Sequence, residues 1–121
     1  MPIIQVTVPP YGEISVNTDM IYCVIPGTGK KGSRLLIDAA GGASIEATES
    51  LSQIEHLVGD HFAKFDRASI DPGKTLANRM GWVSIVPHPQ VKDVCQINYK
   101  NHYVPVKGAL PEVIEMMTSL A

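Results

Sequence analysis

The sequence predicts an α+β protein in which two pseudo-repeated β-β-β-α units form one compact domain with a mostly antiparallel sheet. Short runs rich in β-branched residues, separated by turns that contain proline or glycine, indicate strands. Apolar residues at helical spacing in 51–65 and 110–120 indicate two helices. The two halves align at a nearly constant offset, and a length of 121 residues suits one domain of this kind.

Turn residues divide the chain into the predicted strands. Pro-Pro-Tyr-Gly at 9–12 and Pro26-Gly27 each end an apolar run. Gly41-Gly42 lies between two apolar segments, and this dipeptide tolerates the positive φ angles of a hairpin turn. Pro87-His88-Pro89 interrupts the second half. The predicted strands are Ile3 to Val8, Ile14 to Val16, Met20 to Ile25, Arg34 to Asp38, Ser44 to Ala47, Gly81 to Val86, Val91 to Ile97 and His102 to Val106.

Two segments have the period of a helix. At Ser50 the apolar period changes from two to about 3.6, and Ser50 with Gln53 has the spacing of a capping box. The second segment has Pro111 in its first turn, where proline is acceptable. The apolar face of the first is Leu51, Ile54, Leu57, Val58, His61, Phe62 and Phe65. That of the second is Leu110, Val113, Ile114, Met117 and Leu120.

The two predicted units are 14–65 and 81–120, and a shift of 59 aligns the hairpin and helix of one with those of the other. Residues 66–80 are more polar, which predicts a linker with a short helical turn at Thr75 to Arg79. The apolar pattern of any two strand-strand-helix units would give a similar alignment, so the repeat is one of two interpretations. If it is real, each unit is too small to bury a core alone, and the chain pairs its units or forms a homo-oligomer through strand edges.

Composition excludes several classes of protein. Ten basic and twelve acidic side chains give a formal charge of -2, unlike a generally basic nucleic-acid coat or an acidic disordered tail. A mean hydropathy of +0.07 without a long apolar run excludes a membrane span. The first 30 residues lack the pattern of a secretory signal, so we expect a cytoplasmic protein. Cys23 and Cys95 are too few for a disulfide scaffold, which favours two buried reduced thiols.

The first unit resembles two families. The pattern V-N-x-D-x-I at 16–21, an apolar hairpin with glycine in its turn, and E-S-x-x-Q-I at 49–54 are similar to the small bacterial flagellar FlbD family. More loosely, they resemble the β-rich LytTR DNA-binding domain. The resemblance covers 14–58 and, more weakly, 82–117. Similarity to LytTR implies DNA contact from loops between strands, and it assigns no base-contacting residue of this chain.

Clustered cations predict where a polyanion would bind. The loop at 26–33 lacks the G-x-x-x-x-G-K-[ST] spacing of a nucleotide-binding loop, but Lys30, Lys31 and Arg34 suit contact with nucleic-acid phosphates. The alternative is a solvated hairpin tip. Lys100 and Asn101 occupy the corresponding tip of the second unit, and Trp82 has a ring that stacks on bases or packs in the core.

No catalytic residue, metal site or cofactor is predicted. His56 and His61 are five residues apart, unlike the i, i+4 spacing of a helical zinc site. Neither cysteine lies in a Cys-x-x-Cys pair or beside a feature that would lower its pKa. The sequence therefore favours a binding protein over an enzyme.

Three hypotheses about function follow. The first is a small bacterial or bacteriophage regulatory protein that binds nucleic acid or a regulatory protein partner, with its two cationic tips on one exposed face. The second is an oligomeric assembly or inhibitor protein that acts through strand edges and the helix face with Met116 and Met117. The third is a small-ligand binding or sequestering protein, which requires a pocket between the two units.

Overall fold

A computed structural model describes residues 3–27, 32–67 and 73–119. These residues form ten strands, two α-helices and two short 3-10 helices at Thr18–Met20 and Gly59–His61. The strands are β1 (Ile3–Val8), β2 (Gly12–Asn17), β3 (Ile21–Pro26), β4 (Ser33–Ile37), β5 (Ala43–Ala47), β6 (Phe62–Asp66), β7 (Lys74–Asn78), β8 (Ser84–Pro87), β9 (Val94–Asn98) and β10 (Tyr103–Lys107). The helices are α1 (Leu51–Val58) and α2 (Leu110–Thr118). Leu120, predicted on the face of α2, lies outside the described residues.

The strands form three antiparallel sheets. β1 pairs with β2, a central five-stranded sheet has the order β5-β4-β3-β7-β6, and a three-stranded sheet has the order β10-β9-β8. The predicted α+β class with mostly antiparallel sheet is confirmed. None of the helices in the described ranges is long and apolar enough to cross a membrane.

The central sheet is covered on both faces. One core cluster joins it to the β1-β2 sheet and α1, and includes Val6, Leu35 and Ile54. The other joins its opposite face to the three-stranded sheet and α2, and includes Ala77 and Ile97. Full burial of a side chain of this size stabilises the fold by about 1.5–3 kcal/mol. The two clusters therefore hold the three sheets together as stacked layers.

The first helix begins as predicted and ends earlier. The Ser50 side chain accepts a hydrogen bond of 3.2 Å from Gln53 N, and Gln53 Oε1 accepts one of 2.7 Å from Ser50 N, which confirms the capping box. α1 ends at Val58 because Gly59 adopts φ +58°, and β6 follows. The predicted extension of this helix to residue 65 is wrong. The spacing of Phe62 and Phe65 is compatible with a helix or with a strand. Their backbone pairs with β7, and each ring enters a different core cluster.

The predicted linker contains a central strand, so the helical turn at Thr75 to Arg79 is wrong. β7 occupies this segment and pairs with both β3 and β6. Its polar side chains, Thr75 and Asn78, are buried and hydrogen bonded to the backbone of Val24 and Ile21, at 3.1 and 2.8 Å. The segment resembles a linker in composition because it contains polar residues. In the structure, these buried polar side chains form hydrogen bonds within the protein.

Each half contains three antiparallel strands followed by a helix, β3-β4-β5-α1 and β8-β9-β10-α2. The two helices pack differently, since α1 contacts β3 and β7 whereas α2 contacts β8 and β9. The internal repeat of units 14–65 and 81–120 stays a prediction.

Candidate nucleic-acid interface

Several connections meet at one end of the central sheet. Gly27 N donates a hydrogen bond of 3.0 Å to Gly32 O, between the end of β3 and the beginning of β4. Arg67 N donates one of 3.0 Å to Gly73 O, between β6 and β7. Arg67 also forms an isolated antiparallel bridge with Val106, which brings the end of β10 to the same place. The connection between β8 and β9 lies beside it, because Gly108 N donates to Asp93 O at 2.8 Å.

We call this region the basic end. Its described cationic residues are Arg34, Arg67, Lys74, Lys92 and Lys107. Arg34 pairs with Glu46 at 2.5 Å, and Lys74 pairs with Asp66. The hydrogen bond and charge of Lys74, together with the more distant Lys107, lower the pKa of the Asp66 carboxyl. Lys92 and Lys107 are exposed and belong to none of the three ion pairs formed by the described residues. Lys30 and Lys31, predicted to bind polyanions, lie outside the described residues.

The second predicted tip lies at the opposite end of the central sheet. The turn between β9 and β10 contacts the turn that follows β4, where Asn101 hydrogen bonds to Asp38 and His102 Nε2 lies 2.8 Å from Ala39 O. The His102 ring stacks on Tyr22, with centroids 4.9 Å apart and planes 9° apart. The hydrogen bonds of Asn101 thus connect the two turns. Lys100 beside it is exposed.

The structure does not bring Arg34 next to Lys100 and Asn101. Arg34 lies near the beginning of β4, and the docked turn contacts Asp38, just after its end. Four residues of extended chain span about 13 Å. Of the residues predicted to share one face, Arg34 therefore lies at one end of β4, and Lys100 and Asn101 lie near its other end.

Two other predicted contact residues pack in the core or against it. Trp82 is half-buried and packs against the cluster of the three-stranded sheet. Met117 is 1% exposed in the same cluster, because it lies on the face of α2 directed at β8 and β9. It is therefore not available to a partner, which corrects the prediction for this residue. Met116 is 37% exposed and Ile114 40% exposed on the outer face of α2.

Sequence reasoning missed a cleft of about 190 Å³ between the central sheet and β10. Its described lining comes from four strands, β3, β4, β7 and β10, and from the residue after β6, so no local pattern could have revealed it. The lining residues are Tyr22, Cys23, Ile25, Leu36, Arg67, Thr75, Tyr103, Val104 and Pro105.

Both cysteines are free and buried. The Cys23 Sγ lies 3.1 Å from the Thr75 hydroxyl oxygen, and burial raises the pKa of the Cys23 thiol to about 11. Burial also raises the pKa of Cys95. A raised pKa favours the neutral thiol, which is a weaker nucleophile than the thiolate. Within 3–27, 32–67 and 73–119, no three His, Cys, Asp or Glu side chains are grouped to hold a metal ion.

Comparison with known proteins finds no matching family model and no matching curated protein. Among solved structures, the chain is similar to a LytTr DNA-binding domain from Bacillus cereus, with a TM-score of 0.60 and 15% sequence identity. The similarity covers 99% of both chains. It shows a shared fold and supports the resemblance to LytTR; the resemblance to the FlbD family has no such support.

Proposed function

We propose that this protein is a non-enzymatic regulatory protein that binds DNA. The observation that carries the proposal is the similarity of the whole chain in fold to a LytTr DNA-binding domain. Because one fold hosts many functions, the surface must also suit DNA. We assign that surface to the basic end, since Lys92 and Lys107 are exposed there and belong to none of the ion pairs formed by the described residues.

The proposed contacts are to phosphates. Lys30 and Lys31 lie in the sequence between β3 and β4, Lys92 is exposed between β8 and β9, and Lys107 is exposed at the end of β10. Each ammonium group that neutralises a phosphate releases counterions, which makes the affinity fall with salt. Lys100 at the other end of β4 is a second, separable contact in this proposal.

Fluorescence anisotropy with a labelled mixed-sequence DNA duplex tests the proposal across a series of salt concentrations. The parent protein should bind, with an affinity that falls as salt rises. Lys30→Glu with Lys31→Glu should abolish binding, and Lys107→Glu should reduce the slope of log affinity against log salt by about one. Absence of DNA binding by the parent, or unchanged binding by the double variant, would contradict the proposal.

Two further variants locate the contact. Lys64→Glu makes the same charge change at a residue paired with Glu55 beside α1, so it should bind DNA as the parent does. Lys100→Glu should weaken binding only if the other end of β4 also faces DNA. A loss caused by Lys100→Glu without one caused by Lys107→Glu would move the interface away from the basic end.

Self-association is a second part of the proposal. β8 is an edge strand of the three-stranded sheet, and Val83 and Val86 near it are 68% and 40% exposed. Edges with exposed apolar side chains favour pairing with another chain. Light scattering should show a homodimer that Val86→Asp converts to a monomer; a parent that is monomeric at every concentration would refute this part.

A further inference from the structure

We propose that the cleft between the central sheet and β10 is a binding site for a small aromatic carboxylate. This inference does not rest on DNA binding: Arg67 belongs to both the basic end and the cleft, but the phosphate contacts are assigned to Lys30, Lys31, Lys92 and Lys107, which do not line the cleft.

The cleft exists because the three-stranded sheet covers only part of the central sheet. β10 approaches the end of β6 through the bridge between Arg67 and Val106. The neighbouring face of β3 and β4 is left partly uncovered, with Tyr22, Ile25 and Leu36 half-buried on it. This position, between elements of the first and second predicted units, is the one that the small-ligand hypothesis requires.

The dimensions suit a single ring. The cleft has a volume of about 190 Å³, and its exposed wall includes Tyr103, which is 59% exposed. An apolar protein cavity of about 150 Å³ accommodates benzene. A substituted ring therefore fits, with its edges or faces against the two tyrosines and its body against Ile25 and Leu36.

The positive charge in the cleft favours a negatively charged ligand. Among the described residues that line it, Arg67 is the one that is charged, and none is acidic. Within the described ranges, the guanidinium of Arg67 makes no hydrogen bond or ion pair with another side chain. A planar guanidinium binds a carboxylate through two parallel hydrogen bonds. The Arg67 guanidinium, which has no side-chain partner among the described residues, lies beside an apolar floor and thus matches a carboxyl group attached directly to a ring.

The floor keeps the interaction reversible. The Cys23 side chain is 2% exposed, and the nearby Thr75 hydroxyl donates to the Val24 carbonyl at 3.1 Å. These groups already have partners and bear no charge, so they offer the ring a neutral surface and no reactive thiolate.

Titration followed by two-dimensional amide NMR tests the site on the full chain without DNA. Benzoate is the probe, and benzamide is its neutral counterpart of the same shape. Benzoate should cause saturable shifts at the amides of Tyr22, Leu36 and Val104. Benzamide should bind at least about tenfold more weakly, because it forfeits the charge-assisted hydrogen bonds.

Two variants test whether the Arg67 guanidinium binds the carboxylate. Arg67→Gln should weaken benzoate binding about tenfold and leave the weak benzamide binding unchanged. Lys64→Gln removes a positive charge outside the cleft and should bind benzoate as the parent does. If Arg67→Gln does not fold, the affinities of the parent protein for benzoate and benzamide still show whether the cleft prefers a carboxylate.

Two outcomes would overturn the proposal. One is the absence of saturable shifts at the cleft amides, and the other is equal affinity of the parent for benzoate and benzamide. Since neither measurement includes DNA, failure here leaves the proposed DNA-binding function standing, and failure of DNA binding leaves this site standing.

Discussion

The backbone N–H of Asn101 donates a hydrogen bond of 2.9 Å to the carboxylate of Asp38, although 63 residues separate them in sequence. The Asn101 side chain returns to the Asp38 carbonyl at 3.3 Å. The two residues lie in turns of two different sheets. This pair therefore helps to fix the position of the three-stranded sheet on the central sheet, and with it the width of the cleft.

Loss of the Asp38 acceptor should loosen the contact between these turns. We expect Asp38→Ala to lower the free energy of unfolding by about 1 kcal/mol, since the hydrogen bond is exposed to solvent. Urea denaturation followed by circular dichroism measures this. Asp38→Asn is the matched control, because an amide oxygen can still accept from Asn101 N. Equal losses in the two variants would show that the acceptor does not matter.

A second prediction concerns acid stability. Desolvation raises the pKa of Glu49, but hydrogen bonds from the backbone N–H and hydroxyl of Thr7 outweigh it, and the pKa is lowered overall. A lowered folded pKa gives stability that is present above the unfolded pKa and is lost as the pH falls through the folded value. Glu49→Gln should therefore destabilise the protein at pH 7 by about 1 kcal/mol and much less at pH 3.

Urea denaturation at several pH values provides the test for Glu49. Glu46→Gln is a useful control, because this exposed carboxylate lies on the neighbouring strand β5 and is paired with Arg34. The free energy of unfolding of Glu46→Gln should differ little from that of the parent at every pH. A pH dependence of Glu49→Gln identical to that of the parent would disprove the role of the Thr7 contacts.

Asn78 should be among the most sensitive polar positions. It is 3% exposed, its amide donates to Ile21 O at 2.8 Å and to Thr18 O at 3.2 Å, and its oxygen accepts from Met80 N at 2.9 Å. Asn78→Ala would leave buried groups unpaired, so we expect a loss of about 3 kcal/mol.

The same substitution at Asn17 provides the comparison for Asn78. The Asn17 side chain accepts one exposed hydrogen bond, of 3.0 Å, from Asp19 N. Asn17→Ala should cost about 1 kcal/mol. Thermal or chemical unfolding of both variants measures the difference, and equal losses would show that burial of the Asn78 contacts is unimportant.

Two glycines with similar backbone angles should differ in their tolerance of alanine. Gly32 has φ +73°, and a Cβ there would lie 2.2 Å from Ala47 O. Gly41 has φ +85° with no atom within 4 Å of such a Cβ. Gly41→Ala should cost about 1 kcal/mol from the left-handed backbone alone, and Gly32→Ala about 3 kcal/mol. Similar unfolding midpoints for the two variants would contradict the predicted clash.

Local signals explain what sequence reasoning predicted well. The Gly41-Gly42 turn has positive φ at both residues, as its composition indicates, and the Ser50 and Gln53 pair forms a capping box. α2 begins with Pro111 in its first turn, as predicted. Each of these features depends on residues within a few positions of one another.

The candidate sites required distant partners. Arg34 and Lys100 are both cationic, yet strand pairing and turn docking place them at two ends of β4. The carboxylate site around Arg67 joins β3 and β4 to β10 across the gap between two sheets. A linear pattern contains no measure of such distances.

By itself the sequence determined the turns, the beginning of both helices and the antiparallel α+β class, because glycine, proline and capping residues act on the backbone next to them. Only the tertiary structure decided that 62–66 and 74–78 are paired strands. An isolated strand leaves its backbone donors and acceptors without partners, so its identity depends on the strands beside it. The same dependence on neighbours decided which cations meet at the basic end and where the sheets leave a cleft.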